Sequence, residues 1–288
     1  MATSLLREKL NRNEFFFAPG IQDMITAVIA KKVGLDVVYA SGFWLTASAY
    51  GLPDAGIATF TQMLDRVATL VRSSSAAVIA DADTGFGGLL NVQHTVRGYE
   101  EAGVCAIQIE DQEFPKKCGH TPNKRVITEQ EMVQKIRVAA DARKDPNMLI
   151  IARTDTRQVE GLDAAIARAN AYHSAGADVL FVEALYTDDE MKTACEQVNG
   201  PMMANMSNGG LTPMRDARQL QALGYAAAIY PALTSVVAAA AVEDALIKMV
   251  QQNGSPEPEG VPIFDFKEFC SLIGFEEVWE FEKKWADK

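Results

Sequence analysis

AAVIADAD, residues 76–83, runs through five apolar residues before its first charge at Asp81. Apolar side chains on successive rather than alternate positions fit a strand buried on both faces, as in a parallel sheet. The pattern recurs on either side. EFFFAP (14–19) and DVVYAS (36–41) precede it; CAIQIED (105–111), MLIIART (148–154), DVLFVEA (178–184), PMMANM (201–206) and YAAAIYP (225–231) follow, making eight predicted strands. The segments between them read as helices. Thr128 and Glu131 form a capping box, Thr212-Pro213 places a cap before a first-turn proline, and Leu162, Ile166 and Ala169 recur at helical spacing. Strand and helix alternating in this way predict a (β/α)8 barrel, an α/β fold. A doubly wound open sheet would need fewer strands and a glycine fingerprint after the first, and no GxGxxG follows EFFFAP.

The chain has 288 residues, 48% hydrophobic and 23% charged, enough to bury a large core. Residues 1–252 are the expected barrel and catalytic domain; 253–288 comprise a Pro/Gly-rich linker and two short apolar helices, expected to pack on the barrel or on a neighbouring subunit. A net charge of −11 argues against nucleic-acid or anionic-membrane surfaces, which need clustered Lys and Arg, and leaves a small metabolite as the expected partner. The four cysteines, Cys105, Cys118, Cys195 and Cys270, show no CxxC pair and read as reduced thiols. The polar N-terminus lacks the apolar core of a signal peptide and no apolar run reaches ~18 residues, so a cytoplasmic location is expected.

Active sites of such barrels lie at the C-terminal ends of the strands. Ser41 and Gly42 follow the second strand, Asp81 and Asp83 the third, Glu110 and Asp111 the fourth, Arg153 and Asp155 the fifth, Glu183 the sixth and Asn205 the seventh. Asp81, Asp83 and Glu110 would repel one another in a low-dielectric mouth unless a divalent cation joined them. All-oxygen ligands favour a hard ion, Mg2+ or Mn2+ in its place. Asp also favours turns and helix caps, which is the plainer reading of DAD alone. Arg153 ends an apolar strand and needs anions around it: either Glu183 and Asp155 in a structural ion pair, or a substrate carboxylate held bidentately.

DQEFPKKCGH (111–120) follows the fourth strand and places Cys118 on a loop at this face, among Lys116, Lys117 and His120. A thiol with an ordinary pKa near ~8.5 is protonated at neutral pH and can serve as an acid, and neighbouring cations stabilise the thiolate left behind. That suits proton donation to a carbanion; an unreactive surface thiol is the plainer alternative. Cys105, Cys195, Cys270, His94 and His173 lie in strand or helix patterns and read as packing residues.

KKCGH (116–120) resembles the cysteine-loop signature of the isocitrate lyase and phosphoenolpyruvate mutase superfamily, in the branch that holds 2-methylisocitrate lyase, 2,3-dimethylmalate lyase and the petal-death protein. YGLPDAG (50–56), DADTGFGG (81–88), IEDQ (109–112), KKCGHTPNK (116–124), ARTD (152–155) and ANM (204–206) agree with it in order. The resemblance implies a Mg2+-dependent carbon-carbon lyase acting on a small carboxylate, with a C-terminal helix exchanged between subunits of a homotetramer built as a dimer of dimers. It implies Asp81 as a direct metal ligand and Asp83 and Glu110 as ligands largely through water. Asp54, Ser41, Gly42, Arg153, Glu183 and Asn205 would line the substrate site. Cys118 would protonate the carbanion, with His120 beside it and Tyr39 or a metal-linked group as the base. Asn208, where relatives carry Glu, and the bulky Phe43-Trp44 pair depart from the pattern and reshape the carboxylate-binding wall. Oxaloacetate hydrolysis to oxalate and acetate is the alternative chemistry, a phosphonate mutase does not fit a cysteine loop, and a non-catalytic barrel would not need these residues together.

Overall fold

The computed structural model describes residues 2–286 except His120 and Pro122. The strands are β1 Phe16–Pro19, β2 Val37–Ala40, β3 Ala77–Asp81, β4 Ala106–Glu110, β5 Leu149–Thr154, β6 Val179–Val182, β7 Met203–Asn205 and β8 Ala227–Tyr230, each inside one predicted apolar run. The helices are α1 Ala2–Asn11, α2 Met24–Lys32, α3 Gly42–Tyr50, α4 Phe60–Ser73, α5 Leu89–Glu101, α6 Glu129–Ala142, α7 Leu162–Ser174, α8 Asp188–Gln197, α9 Ala217–Leu223, α10 Leu233–Gln251, α11 Phe266–Leu272 and α12 Phe275–Trp285. All strand pairs are parallel; β2 to β6 pair in sequence order, while β8 lies between β7 and β1. Parallel bridges between Gly20 and Tyr39 and between Leu180 and Met202 join the two sheets, so the ring closes as a barrel.

Closure explains why the apolar runs do not alternate. On each strand one parity fills the ring, with Tyr39, Ile79, Leu149, Ile151, Phe181 and Ile229 buried together. The other parity, including Val38, Val78, Ile107, Ile150 and Leu180, packs under Val67, Val96, Ile136 and Ala169 of the helices. Leu6 of α1 is fully buried against the inner set, and Arg7 Nη1 lies 2.7 Å from Asp178 Oδ1 just before β6, so α1 closes the N-terminal end. The opposite end stays open for function.

Thr128 caps α6 with Glu131 in the expected capping box. The cap expected at Thr212-Pro213 is not formed. Instead α9 begins at Ala217, where Asp216 accepts from the Gln219 N–H and Gln219 returns the bond. Residues 207–216 are held as loop at the barrel mouth, and the reciprocal Asp216–Gln219 pair outcompetes the earlier Thr-Pro signal.

The last helices depart from the barrel pattern. Of α10 only Ser235 is buried, while Val237, Val242, Leu246 and Val250 are exposed. α12 buries none of its residues and presents Trp279 and Phe281 outward. Phe17, on the outer face of β1 where the eighth helix of a barrel would lie, is 46% exposed. α11 does touch its own barrel: Lys32 of α2 pairs with Glu268, and its ammonium lies 4.8 Å from the centroid of the Phe264 ring.

Candidate active site

The parity that fills the ring also aims side chains into its open end. Continuing inward positions Val37–Tyr39, Ala77–Ile79, Leu149–Ile151 and Val179–Phe181 by two residues gives Ser41, Asp81, Arg153 and Glu183 at the rim. Tyr39, Ser41, Asp54, Asp81, Glu110, Cys118, Arg153, Glu183 and Asn205 all line one cavity of about 220 Å³. Gly42 and Asp83 are not in its lining, and His120 lies outside the described residues.

Asp81 has two backbone tasks: Oδ1 accepts from the Asp83 N–H at 3.0 Å and Oδ2 from the Gly42 N–H at 3.3 Å. The turn so formed holds Asp83 in a left-handed conformation at φ 48°, which Asp tolerates better than most residues. A Cβ at position 42 would lie 2.9 Å from Asp81 Oδ2, so α3 must begin with glycine for its N-terminus to approach the carboxylate. DAD is therefore a turn, as the plainer reading held, and Asp81 nevertheless faces the cavity.

Parallel register sets Glu110 directly opposite Arg153. The guanidinium reaches Asp155 Oδ2 at 2.9 Å, Glu183 Oε2 at 3.3 Å and Glu110 Oε2 at 3.4 Å, and lies 5.1 Å from the centroid of the Phe181 ring. Burial opposes its charge, but the Asp155, Glu110 and Glu183 carboxylates together hold its pKa well above the usual value. The structural ion pair considered for Arg153 is present, and the residue also borders the cavity. Glu183 accepts from Asn205 Nδ2 at 2.9 Å and from the Ala184 N–H, fixing β6 and β7 to one another at the rim.

Lys116 is engaged by carboxylates of other segments. It is 3% exposed, pairs with Asp54, and lies 2.7 Å from Asp83 Oδ1. Burial opposes its charge too, yet Asp83 and Asp54 hold its pKa well above that of a free lysine. Asp83 is pushed up to about 6, chiefly by burial, against the pull of Lys116. Glu110 is raised well above the carboxylate range by burial, which Arg153 offsets only in part. Tyr39 is raised well above 10 by burial and by Asp81, and its hydroxyl donates to Gln108 Oε1 at 3.3 Å. Asp111 is of the opposite parity to Glu110. It turns away from the mouth to accept from Thr154 at 2.7 Å and Tyr172 at 2.8 Å, a network that pins the end of β5.

Six carboxylates at the rim (Asp54, Asp81, Asp83, Glu110, Asp155 and Glu183) meet three buried cations (Lys116, Lys124 and Arg153). Glu110 Oε1 is buried without a hydrogen-bond partner among the described residues. An excess of oxygen donors with one left unsatisfied fits a hard divalent cation. Among the described residues no three His, Cys, Asp or Glu side chains converge as a ready-made metal cluster.

Lys124 and, on either side of Asn208, Ser207, Gly209 and Gly210 are functional-site neighbours that strand-end reading passed over. Their signal is weak because a polar loop has no periodicity to say which carboxylate its lysine will meet.

A closed parallel barrel with an acidic mouth, a buried arginine and a thiol on one loop over it defines a (β/α)8-barrel enzyme. The phosphoenolpyruvate phosphomutase family model matches residues 6–250. The chain is 42% identical to 2,3-dimethylmalate lyase of Eubacterium barkeri, over 98% of this chain and 97% of that one. It is 41% identical to 2-methylisocitrate lyase of Halalkalibacterium halodurans, over 97% and 92%. A crystal structure of 2,3-dimethylmalate lyase superposes with a TM-score of 0.91 at 33% identity, covering 98% of this chain and 94% of that one. Oxaloacetate acetylhydrolase with 3,3-difluorooxalacetate gives 0.91 at 28% identity, covering 98% and 96%. Phosphonopyruvate hydrolase solved with oxalate and Mg2+ gives 0.89 at 28% identity, covering 99% and 100%. The chain belongs to the phosphoenolpyruvate mutase/isocitrate lyase superfamily and is a carbon-carbon lyase of it. No helix among the described residues is long and apolar enough to cross a membrane.

Proposed function

We propose that the enzyme cleaves the C2–C3 bond of a 2-hydroxy di- or tricarboxylate of the 2,3-dimethylmalate or 2-methylisocitrate type, releasing a 2-oxo acid such as pyruvate and a second carboxylate. The observation that carries this is the shared cavity: Cys118, Arg153, Asp81 and Glu110 border one small space. Asp81 would hold Mg2+ or Mn2+ directly, with Asp83 and Glu110 acting through water. When bound, the cation supplies Lewis-acid stabilisation of charge on the substrate oxygens, worth several kcal/mol. Arg153, Asn205 and Ser41 orient the substrate carboxylates and hydroxyl; Gly42 shapes the Asp81 carboxylate, and Glu183 and Asp54 fix Arg153 and Lys116.

In the reaction the hydroxyl proton leaves, the oxygen becomes the C2 carbonyl, and the electron pair of the C2–C3 bond stays on the departing fragment. Cys118 delivers its thiol proton to that carbon. Tyr39, whose hydroxyl burial and Asp81 keep protonated at neutral pH, acts as a hydrogen-bond donor and not as the base. Replacing Cys118 with Ser should lower turnover by about 10²–10⁴-fold, with Mg2+ binding intact by calorimetry. Full turnover in that variant removes the acid role. Oxaloacetate hydrolysis is the second reading, favoured by the likeness to oxaloacetate acetylhydrolase. Oxalate release from oxaloacetate, in place of 2-oxo acid release from the hydroxy acids, would select it.

Residues 1–252 serve as the catalytic domain, and 253–288 as an assembly element. Trp279 and Phe281 exposed on α12, together with the exposed apolar face of α10 and the exposed Phe17, fit a second copy of this chain, each subunit covering the other's wall, in a tetramer built as a dimer of dimers. We place the enzyme in the cytoplasm, acting on a small carboxylate.

A further inference from the structure

The turn that carries Cys118 is held at three successive carbonyls. Gln112 Nε2 donates to the Lys117 carbonyl at 2.8 Å, and Thr121 Oγ1 to the Cys118 carbonyl at 2.7 Å. Lys124 Nζ donates to the Gly119 carbonyl at 2.6 Å. Gln112 and Thr121 belong to the loop and to its root at the end of β4. Lys124 also reaches across to the barrel wall, where its ammonium lies 2.6 Å from Asp155 Oδ1. Both ends of that contact are buried, the lysine side chain 1% and the aspartate 0% exposed.

Asp155 is the same carboxylate that receives Arg153, through Nε on Oδ2 at 2.9 Å and Nη2 on Oδ1 at 3.0 Å. One buried anion thus links the thiol-bearing turn to the arginine beneath it. The approach is close: a Cβ built on Gly119 would lie 2.0 Å from Arg153 Nη2 and 3.0 Å from Glu183 Oε2. Gly119 has ordinary backbone angles, so glycine is required there by this contact and not by its conformation.

We propose that Lys124 is a positioning residue for the lyase reaction, bridging the Gly119 carbonyl to Asp155 so that Cys118 and Arg153 are held in register over the same substrate. This rests on the assignment of Cys118 as proton donor. A buried ammonium that must satisfy a carbonyl and a carboxylate at once fixes the turn more narrowly than either contact alone, because losing one leaves a desolvated charge. Burial would raise the pKa of Asp155, but Arg153 and Lys124 hold it down at about 2, so the bridge stays ionised through the neutral range. Proton transfer is sensitive to donor placement on the ångström scale, and the lysine acts through that placement without touching substrate.

The test uses the Mg2+-loaded enzyme and two variants, Lys124→Met and Gly119→Ala, the second leaving the lysine in place and displacing the turn by collision with Arg153. Each is expected to lower kcat by about 10–100-fold with a smaller change in KM. Each should also speed alkylation of Cys118 by iodoacetamide, followed on the Cys118 peptide by mass spectrometry, at a temperature where circular dichroism shows native fold. A role in stability alone would lower Tm and leave both readouts at their wild-type values. If Lys124→Met does not fold, Gly119→Ala decides by itself, and unchanged kcat and alkylation in a folded variant overturn the proposal. The Cys118→Ser enzyme separates the two ideas. Full turnover there removes the acid role, whereas the alkylation rates still report on the bridge.

Discussion

At the residue scale, Asp83 sets protonation against function. Burial carries its carboxyl to about 6 despite the Lys116 ammonium 2.7 Å away. The unfolded chain has the ordinary value of ~3.9. A pKa raised on folding means the folded state binds the proton more tightly, so the stability it contributes is full below about pH 4 and lost as pH rises through about 6. In Mg2+-free protein the stability of Asp83→Asn relative to wild type should therefore be higher at pH 7.5 than at pH 4 in urea unfolding. The same variant should bind Mg2+ more weakly and turn over more slowly. Equal stability at both pH values would show that Lys116 already compensates the carboxylate in full. The residue-level logic of Gly42 is steric: Gly42→Ala puts a carbon 2.9 Å from Asp81 Oδ2 and should weaken Mg2+ binding. Unaltered affinity would show that α3 can retreat without moving the carboxylate.

At the scale of elements, the strands were readable because each is buried on both faces, which leaves an apolar run that loops and surface helices do not mimic. Strand parity also made much of the mouth readable: Ser41, Asp81, Arg153 and Glu183 continue the inward positions of their strands. Loops obey no such rule. Lys116 and Lys117 are adjacent to Cys118 in sequence, yet Lys116 turns to Asp54 and Asp83, a choice fixed by charges from other strands. Thr212-Pro213 carries a sound local start signal, but Ser207–Gly210 border the cavity and the chain stays in turns and loop until Asp216 can cap α9. The cost of that choice is measurable. Asp216→Ala should lower stability by about 1 kcal/mol, and Thr212→Ala should leave it unchanged in the same urea titration. The reverse order would restore the earlier helix start.

At the scale of the whole molecule, the barrel supplies a rigid ring and leaves its eighth helical position thinly covered. α10 exposes Val237 and Leu246, and Phe17 is exposed on the wall such a helix would cover. Exposed apolar residues of this kind are what the proposed contact with a second copy would cover. If the chain assembles as the proposed tetramer, Val237→Glu combined with Leu246→Glu should give smaller species by light scattering, with the secondary structure kept; an unchanged mass would remove α10 from the interface. The barrel mouth carries the central claim, that metal-binding carboxylates and the Cys118 thiol act on one substrate. Its most direct test is 2-oxo acid release from 2,3-dimethylmalate and from 2-methylisocitrate with Mg2+, comparing wild type, wild type with EDTA, and Cys118→Ser. We expect release by wild type on at least one of the two, abolished by EDTA and lowered by about 10²–10⁴-fold in the variant. Release that persists in EDTA, or at the wild-type rate without the thiol, would contradict it.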